Sequence, residues 1–279
     1  MNFKKITKKS ILLFLIISIS CCYQIANAQS LIDYLGIEKT KENSKNVRVG
    51  NIQVSLISNS EFIIPGKSFS LGLKIIHDEG WHTYWVNPGD SGLATKIKLS
   101  FSELSSQWVI GDIQWPTPKK ILVGPLVNYG YESKILLIKD LIPPEDLKGE
   151  SVIIDAQINW LVCKEVCIPG EKKLKIKLPV KKDQIIVKQI NSIEFQKTRE
   201  NIPLFSQEKS NKFLASFNHE EKNLELLVKK EVIKNYEDFL PVTSNLVNPS
   251  SKIVFFELKN DFNNSDFVIK IKLTNDYKD

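Results

Sequence analysis

The chain has 279 residues, 42% of them hydrophobic, with 38 Lys and Arg against 32 Asp and Glu. This length and apolar content suffice for more than one buried core. The cations are nearly all lysines interleaved with acids, which leaves no basic stripe suited to phosphates and no support for nucleic-acid binding.

The N-terminus reads as a secretory leader. Lys4, Lys5, Lys8 and Lys9 precede an apolar stretch from Ile11 to Ile19, followed by Ala26-Asn27-Ala28. The stretch is far shorter than the roughly 20 residues of a membrane-spanning helix, so cleavage after Ala28 is expected. The expected product is a soluble, exported protein located in the periplasm. Its balance becomes 34 cations against 32 acids, and Cys163 and Cys167 are its only cysteines. The alternative, lipidation at Cys21 or Cys22, lacks the leucine usual three residues before a modified cysteine.

Period-two alternation dominates the chain beyond the leader. Ile52, Val54 and Leu56 share one face, as do Phe69, Leu71, Leu73 and Ile75, and then Ile97, Leu99 and Phe101. The clearest strand runs from Val152 to Val162, with Val152, Ile154, Ala156, Ile158, Trp160 and Val162 on one side. Leu174, Ile176 and Leu178 alternate with Lys173, Lys175 and Lys177. Turn signals separate the runs at Asn87-Pro88-Gly89-Asp90, Pro116-Thr117-Pro118, Gly124-Pro125 and Pro143-Pro144. About eight short strands fit before Pro179, which predicts an all-β fold, an immunoglobulin-like antiparallel β-sandwich over residues 29–183.

The texture changes near residue 183. A short helix is expected within Asp183 to Ile202, then strands at Phe213 to Phe217, Leu224 to Val228, Ile253 to Leu258 and Phe267 to Leu273. Residues 184–279 thus read as a second, smaller β-rich domain whose C-terminal edge is incomplete.

Cys163 and Cys167 fall at the connection between two strands, with three residues between them. An extended chain would separate their Cα atoms by about 13 Å, whereas a disulfide needs about 4.4–6.8 Å, so Lys164-Glu165-Val166 must turn. A structural staple is the first reading of such a pair in an exported protein. However, closing so short a loop stabilises by only roughly 2 kcal/mol on the chain-entropy argument. A disulfide at an exposed turn is also open to attack by a partner thiolate, which favours thiol:disulfide exchange. Lys164 favours a thiolate and Glu165 opposes it, so sequence leaves the direction of any cysteine pKa change open.

Four blocks carry a family resemblance. They are Gly80-Trp81-His82-Thr83-Tyr84-Trp85 with Asn87-Pro88-Gly89-Asp90-Ser91-Gly92, then Trp115-Pro116-Thr117-Pro118. Next come Gly124-Pro125-Leu126-Val127-Asn128-Tyr129-Gly130-Tyr131-Glu132 and Trp160-Leu161-Val162-Cys163-Lys164-Glu165-Val166-Cys167-Ile168-Pro169. In this order they resemble the N-terminal domain of the bacterial thiol:disulfide interchange proteins DsbD and ScsB, the latter a copper-sensitivity suppressor.

The resemblance implies a redox-active disulfide, Cys163 with Cys167, and no other cofactor. Trp160, Lys164, Glu165 and Pro169 stand as supporting residues. Asn128, Tyr129, Gly130 and Tyr131 match the position of a cap loop that shields the cysteines, within a candidate cap from Leu126 to Tyr131. It also implies partners: a membrane-embedded electron donor of DsbD or CcdA type, a thioredoxin-like module, and envelope disulfide proteins as substrates. The spacing between the cysteines is shorter than in DsbD. The membrane and thioredoxin-like domains of the family's large members are not in this sequence, so two alternatives stand: electrons come from a separate membrane protein, or the sequence is a truncated product.

Other readings have less support. Trp81 and Trp85 share a face with Thr83, as core residues do. His77 and His82 lack the spacing of a zinc site, so no metal ligands are assigned. Two soft thiolates leave a copper-binding, copper-tolerance module as one alternative. A non-catalytic interaction domain with a structural disulfide is the other. None of the three histidines stands in a hydrolase motif.

Overall fold

The computed structural model describes residues 46–102, 107–183, 186, 188–203, 213–229, 239–251, 254–258 and 266–273. The expected leader, its cleavage site, Cys21 and Cys22 lie outside the described residues. The described residues fall in one compact unit, Glu42–Asp279.

In chain order the strands are β1 (Val47–Val49), β2 (Ile52–Ser58), β3 (Phe69–His77), β4 (His82–Gly89), β5 (Lys96–Phe101), β6 (Val109–Ile110), β7 (Lys119–Val123), β8 (Leu126–Glu132), β9 (Lys134–Ile142), β10 (Ser151–Cys163) and β11 (Cys167–Pro179). After helix α1 (Ser192–Glu200) come β12 (Phe213–Asn218), β13 (Asn223–Lys229), β14 (Val254–Leu258) and β15 (Asp266–Lys272). One sheet has the order β1-β2-β3-β9-β6, and a second has the order β11-β10-β4-β8-β7 with β5 also paired to β10. The pairings between these strands are antiparallel. The fold is therefore the all-β, immunoglobulin-like sandwich that the alternation implied.

Alternation explains the core directly. Ile52, Val54 and Leu56 of β2, Leu71, Leu73 and Ile75 of β3, and Val152, Ile154, Ala156, Ile158, Trp160 and Val162 of β10 belong to one buried cluster. Leu174, Ile176 and Leu178 of β11 join it, while the intervening lysines face solvent. Removing such residues from water is the main stabilising term, roughly 1.5–3 kcal/mol for each large aliphatic side chain.

Strands β2, β3 and β9 are buried on both faces, which simple alternation does not predict. Helix α1 supplies the reason: Phe195 packs with Ile57, Leu136 and Ile138 on the far side of the first sheet. Arg199 adds donor contacts to Asp140 Oδ1 at 2.8 Å and Ser70 Oγ at 2.6 Å. Asn191 starts the helix with φ of 54°, a conformation that asparagine tolerates better than most residues. The helix thus packs on the sandwich although it follows residue 183.

Strands β12 to β15 form a separate sheet of order β12-β13-β15-β14. Its core is small, built from Leu224, Val228, Val247, Ile269, Ile271 and Leu273. The segment before β14 touches the sandwich, where Asn87 Nδ2 donates to Pro241 O at 2.8 Å and Leu240 packs against the main core.

Candidate functional site

Strands β10 and β11 pair along their whole length, from Ser151 opposite Pro179 to Cys163 opposite Cys167. The connection is therefore three residues, Lys164 to Val166, closed by Lys164 N–H donating to Val166 O at 3.2 Å. Pro169 lies on β11, an edge strand, the place in a sheet where proline is tolerated. Cys163 and Cys167 form a disulfide with Cα atoms 4.1 Å apart.

The two cysteines are not equivalent. Val162 points into the core, so the next residue, Cys163, points to the opposite face of the sheet. It is nevertheless only 1% exposed. Cys167 is exposed, as are Lys164, Glu165, Val166, Ile168 and Pro169. Trp160 is buried, and its indole lies over Gly170, its partner across the ladder, where a Cβ would collide with the ring.

Strand β4 lies beside the buried cysteine in the sheet. His82 is the direct partner of Cys163, and Tyr84 follows on the same face of β4. The two rings meet edge to face, 5.2 Å between centroids. Tyr84 Oη lies 3.7 Å from Cys167 Sγ, with the hydroxyl donating to the disulfide sulfur. Burial raises the Tyr84 pKa, opposed by a hydrogen bond with Ser91, so the phenol keeps its proton. Burial lowers the His82 pKa, opposed by the charge of Glu132, so its imidazole is neutral.

His77 lies behind this pair. Its Nδ1–H donates to Ser133 O at 3.0 Å, which leaves Nε2 to accept from the Thr83 hydroxyl at 3.0 Å. Burial is the largest cause of its pKa falling to about 4, with the Ser133 bond opposing and His82 reinforcing the shift.

The residues expected to form a cap loop occupy strand β8 instead. Tyr129 is 1% exposed and meets Trp85 edge to face within the core. Tyr131 donates its hydroxyl to Pro116 O at 2.7 Å, and burial drives its pKa upward. Gly130 packs so closely on Thr83 O that no side chain fits. Both tyrosine rings face the core because they alternate with Asn128 and Gly130. The sulfur-bearing face is the other one.

Asn128 still serves the site, by another route. Its Oδ1 accepts from Ser91 N–H at 3.0 Å and from the Ser91 hydroxyl at 3.1 Å. Asp90 and Val127 exchange two further bonds, Asp90 N–H to Val127 O and Val127 N–H to Asp90 Oδ2. These bonds hold the segment from Asp90 to Gly92 against Tyr84. Gly92, with φ of 109°, packs on the phenol ring where a Cβ would collide with it. The Asn87 to Gly89 portion of the expected turn extends β4, with a register shift between Tyr84 and Gly89.

Sequence reasoning named the cysteines but missed His82 and Tyr84 as their neighbours. The available signal was that Trp81, Thr83 and Trp85 take one face of β4, which leaves His82 and Tyr84 together on the other. The register that sets them beside Cys163 was not readable.

Comparison with known proteins places this geometry in context. The family model of the thiol:disulfide interchange protein DsbD, N-terminal, matches residues 53–179, the span from β2 to the end of β11. A search of curated protein sequences returned no match. Among solved structures, the chain is similar to the N-terminal periplasmic domain of ScsB from Proteus mirabilis, with 15% identity and a TM-score of 0.51 over 85% of this chain and 86% of that one. That likeness shows the fold. AvmM, described as catalysing macrocyclization in alchivemycin A biosynthesis, matches 51% of this chain and 98% of that one at 12% identity. Its TM-score of 0.22 is too low to carry any argument. With the disulfide inside the matched span, residues 53–179 of this chain belong to the family of the DsbD N-terminal domain.

Proposed function

We propose that this protein is exported to the periplasm and performs thiol:disulfide exchange there, passing two electrons from a membrane-embedded reductase to disulfides of envelope proteins. A thioredoxin-like module is the immediate donor. The observation that carries this reading is the asymmetry of the disulfide, with Cys167 exposed at a hairpin tip beside the Tyr84 hydroxyl and Cys163 buried opposite His82 in the ladder.

The asymmetry sets the order of events. A thiolate of the donor dithiol bonds to Cys167 Sγ, the bond to Cys163 breaks, and its electron pair stays on Cys163 as a thiolate. The donor's second thiol gives up its proton and attacks the mixed disulfide, releasing Cys167. The donor ends as a disulfide, and its two electrons and two protons reside on Cys163 and Cys167. Transfer to a substrate disulfide runs the same steps in reverse, with Cys167 attacking and Cys163 resolving.

Trapping tests this assignment. The reduced Cys163→Ala protein, mixed with a thioredoxin-like protein that lacks its own second cysteine and carries the first as a disulfide with a small aromatic thiol, should expel that thiol and accumulate a mixed disulfide through Cys167 that cannot resolve. Cys167→Ala should trap little. Equal failure of both variants to trap would remove the exchange reading.

A further inference from the structure

His82 carries an unexplained atom. The residue is 1% exposed, yet its Nε2 has no hydrogen-bond partner among the protein atoms. Buried ring nitrogens are normally paired, and an orphan calls for a reason such as a second state of the site in which the partner is present. His82 stands directly opposite Cys163, at a cross-strand spacing that puts the two side chains within reach of each other. In the disulfide, Cys163 Sγ is committed to Cys167. Once that bond opens, the sulfur is free to turn and becomes a strong acceptor as a thiolate.

We propose that His82 is the hydrogen-bond partner of the Cys163 sulfur, its Nε2–H donating to the thiolate released when Cys167 is attacked. This rests on the exchange reading above and extends it to the leaving group. A hydrogen bond to the departing thiolate lowers its basicity, and lower basicity makes a better leaving group. His82 acts as a neutral donor, because burial lowers its pKa and outweighs the opposing charge of Glu132; His77 lies behind it on β3. Glu132 faces it from β8, opposite in register, and Tyr84 adjoins it on its own strand. The hairpin tip adds two opposite charges, Lys164, whose side chain lies over Gly80, and the exposed Glu165.

The test compares the reduced full-length wild type with His82→Phe, which keeps a ring to pack on Tyr84 but no donor, and His82→Gln, which keeps a donor. Alkylation is followed as a function of pH, and cleavage after Lys164 places the two cysteines on separate peptides. The apparent pKa of Cys163 should rise by about one unit in His82→Phe, an approximately tenfold loss of thiolate, and return toward wild type in His82→Gln. That of Cys167 should hardly move. A second readout needs no substitution: on reduction of the wild type, the imidazole Nε2 resonance of His82 should shift while those of His77 stay.

An unchanged Cys163 pKa in His82→Phe, or a His82 resonance indifferent to reduction, overturns the proposal. Both readouts are independent of any partner. A protein that passes them but fails to trap through Cys167 therefore retains the hydrogen bond while losing the exchange role.

Discussion

Asn128 Oδ1 receives both the backbone N–H and the hydroxyl of Ser91, at 3.0 and 3.1 Å, and so fixes the segment that covers Tyr84. The exposed end of the disulfide depends on that segment, since Tyr84 in turn reaches Cys167.

Replacing Asn128 by alanine should therefore act at a distance. Two donors of Ser91 lose their acceptor, which costs about 1–3 kcal/mol if they stay buried. The segment from Asp90 to Gly92 should loosen, and alkylation of reduced Cys167 by a bulky reagent should accelerate. The check is the alkylation rate together with the melting temperature. Wild-type values for both would show that Asn128 does not hold the cover in place.

Tyr129→Ala and Tyr131→Ala test the reassignment of strand β8. Rings acting as a lid would be removed with little effect on stability and a faster reaction at the sulfurs. Rings in the core should each cost about 3–5 kcal/mol on truncation. Denaturant unfolding distinguishes the two. The Tyr131 variant also orphans Pro116 O, so it should lie at the upper end.

His77 makes the protein sensitive to mild acid. Its pKa is about 4 when folded and 6.5 when unfolded, so the unfolded chain binds more protons between these values. Stability should thus fall as pH drops from about 6.5 to 4, by up to about 3 kcal/mol from this group, and level off below. His82, shifted in the same direction by burial, adds to the slope. Melting temperatures measured across this range should show a smaller slope for His77→Gln than for wild type. An equal slope would mean that His77 does not titrate as its burial implies.

The fold was largely legible, because the residues that alternate along β2, β3, β10 and β11 are the ones that fill the core. The cysteine pair was legible for the same reason, lying between two recognisable strands. The site around it was not. Tyr129 and Tyr131 sit in a segment with glycine and asparagine, which composition alone reads as loop, whereas pairing with β4 and β7 makes it a strand. His82 and Tyr84 acquire meaning only from the register that joins β4 to Cys163, a long-range pairing that no local pattern encodes. The return of α1 onto the sandwich likewise depends on Phe195 finding Ile57, Leu136 and Ile138, residues far from it in sequence.

The measurement that bears most directly on the exchange function is the reduction potential of the Cys163–Cys167 pair, determined by equilibration with glutathione or a thioredoxin couple. An exchanging pair fed by a thioredoxin-like donor should equilibrate at or above the potential of thioredoxin, about −270 mV, so that electrons flow onto it. A potential well below about −300 mV, the range of inert structural bridges, would contradict the account.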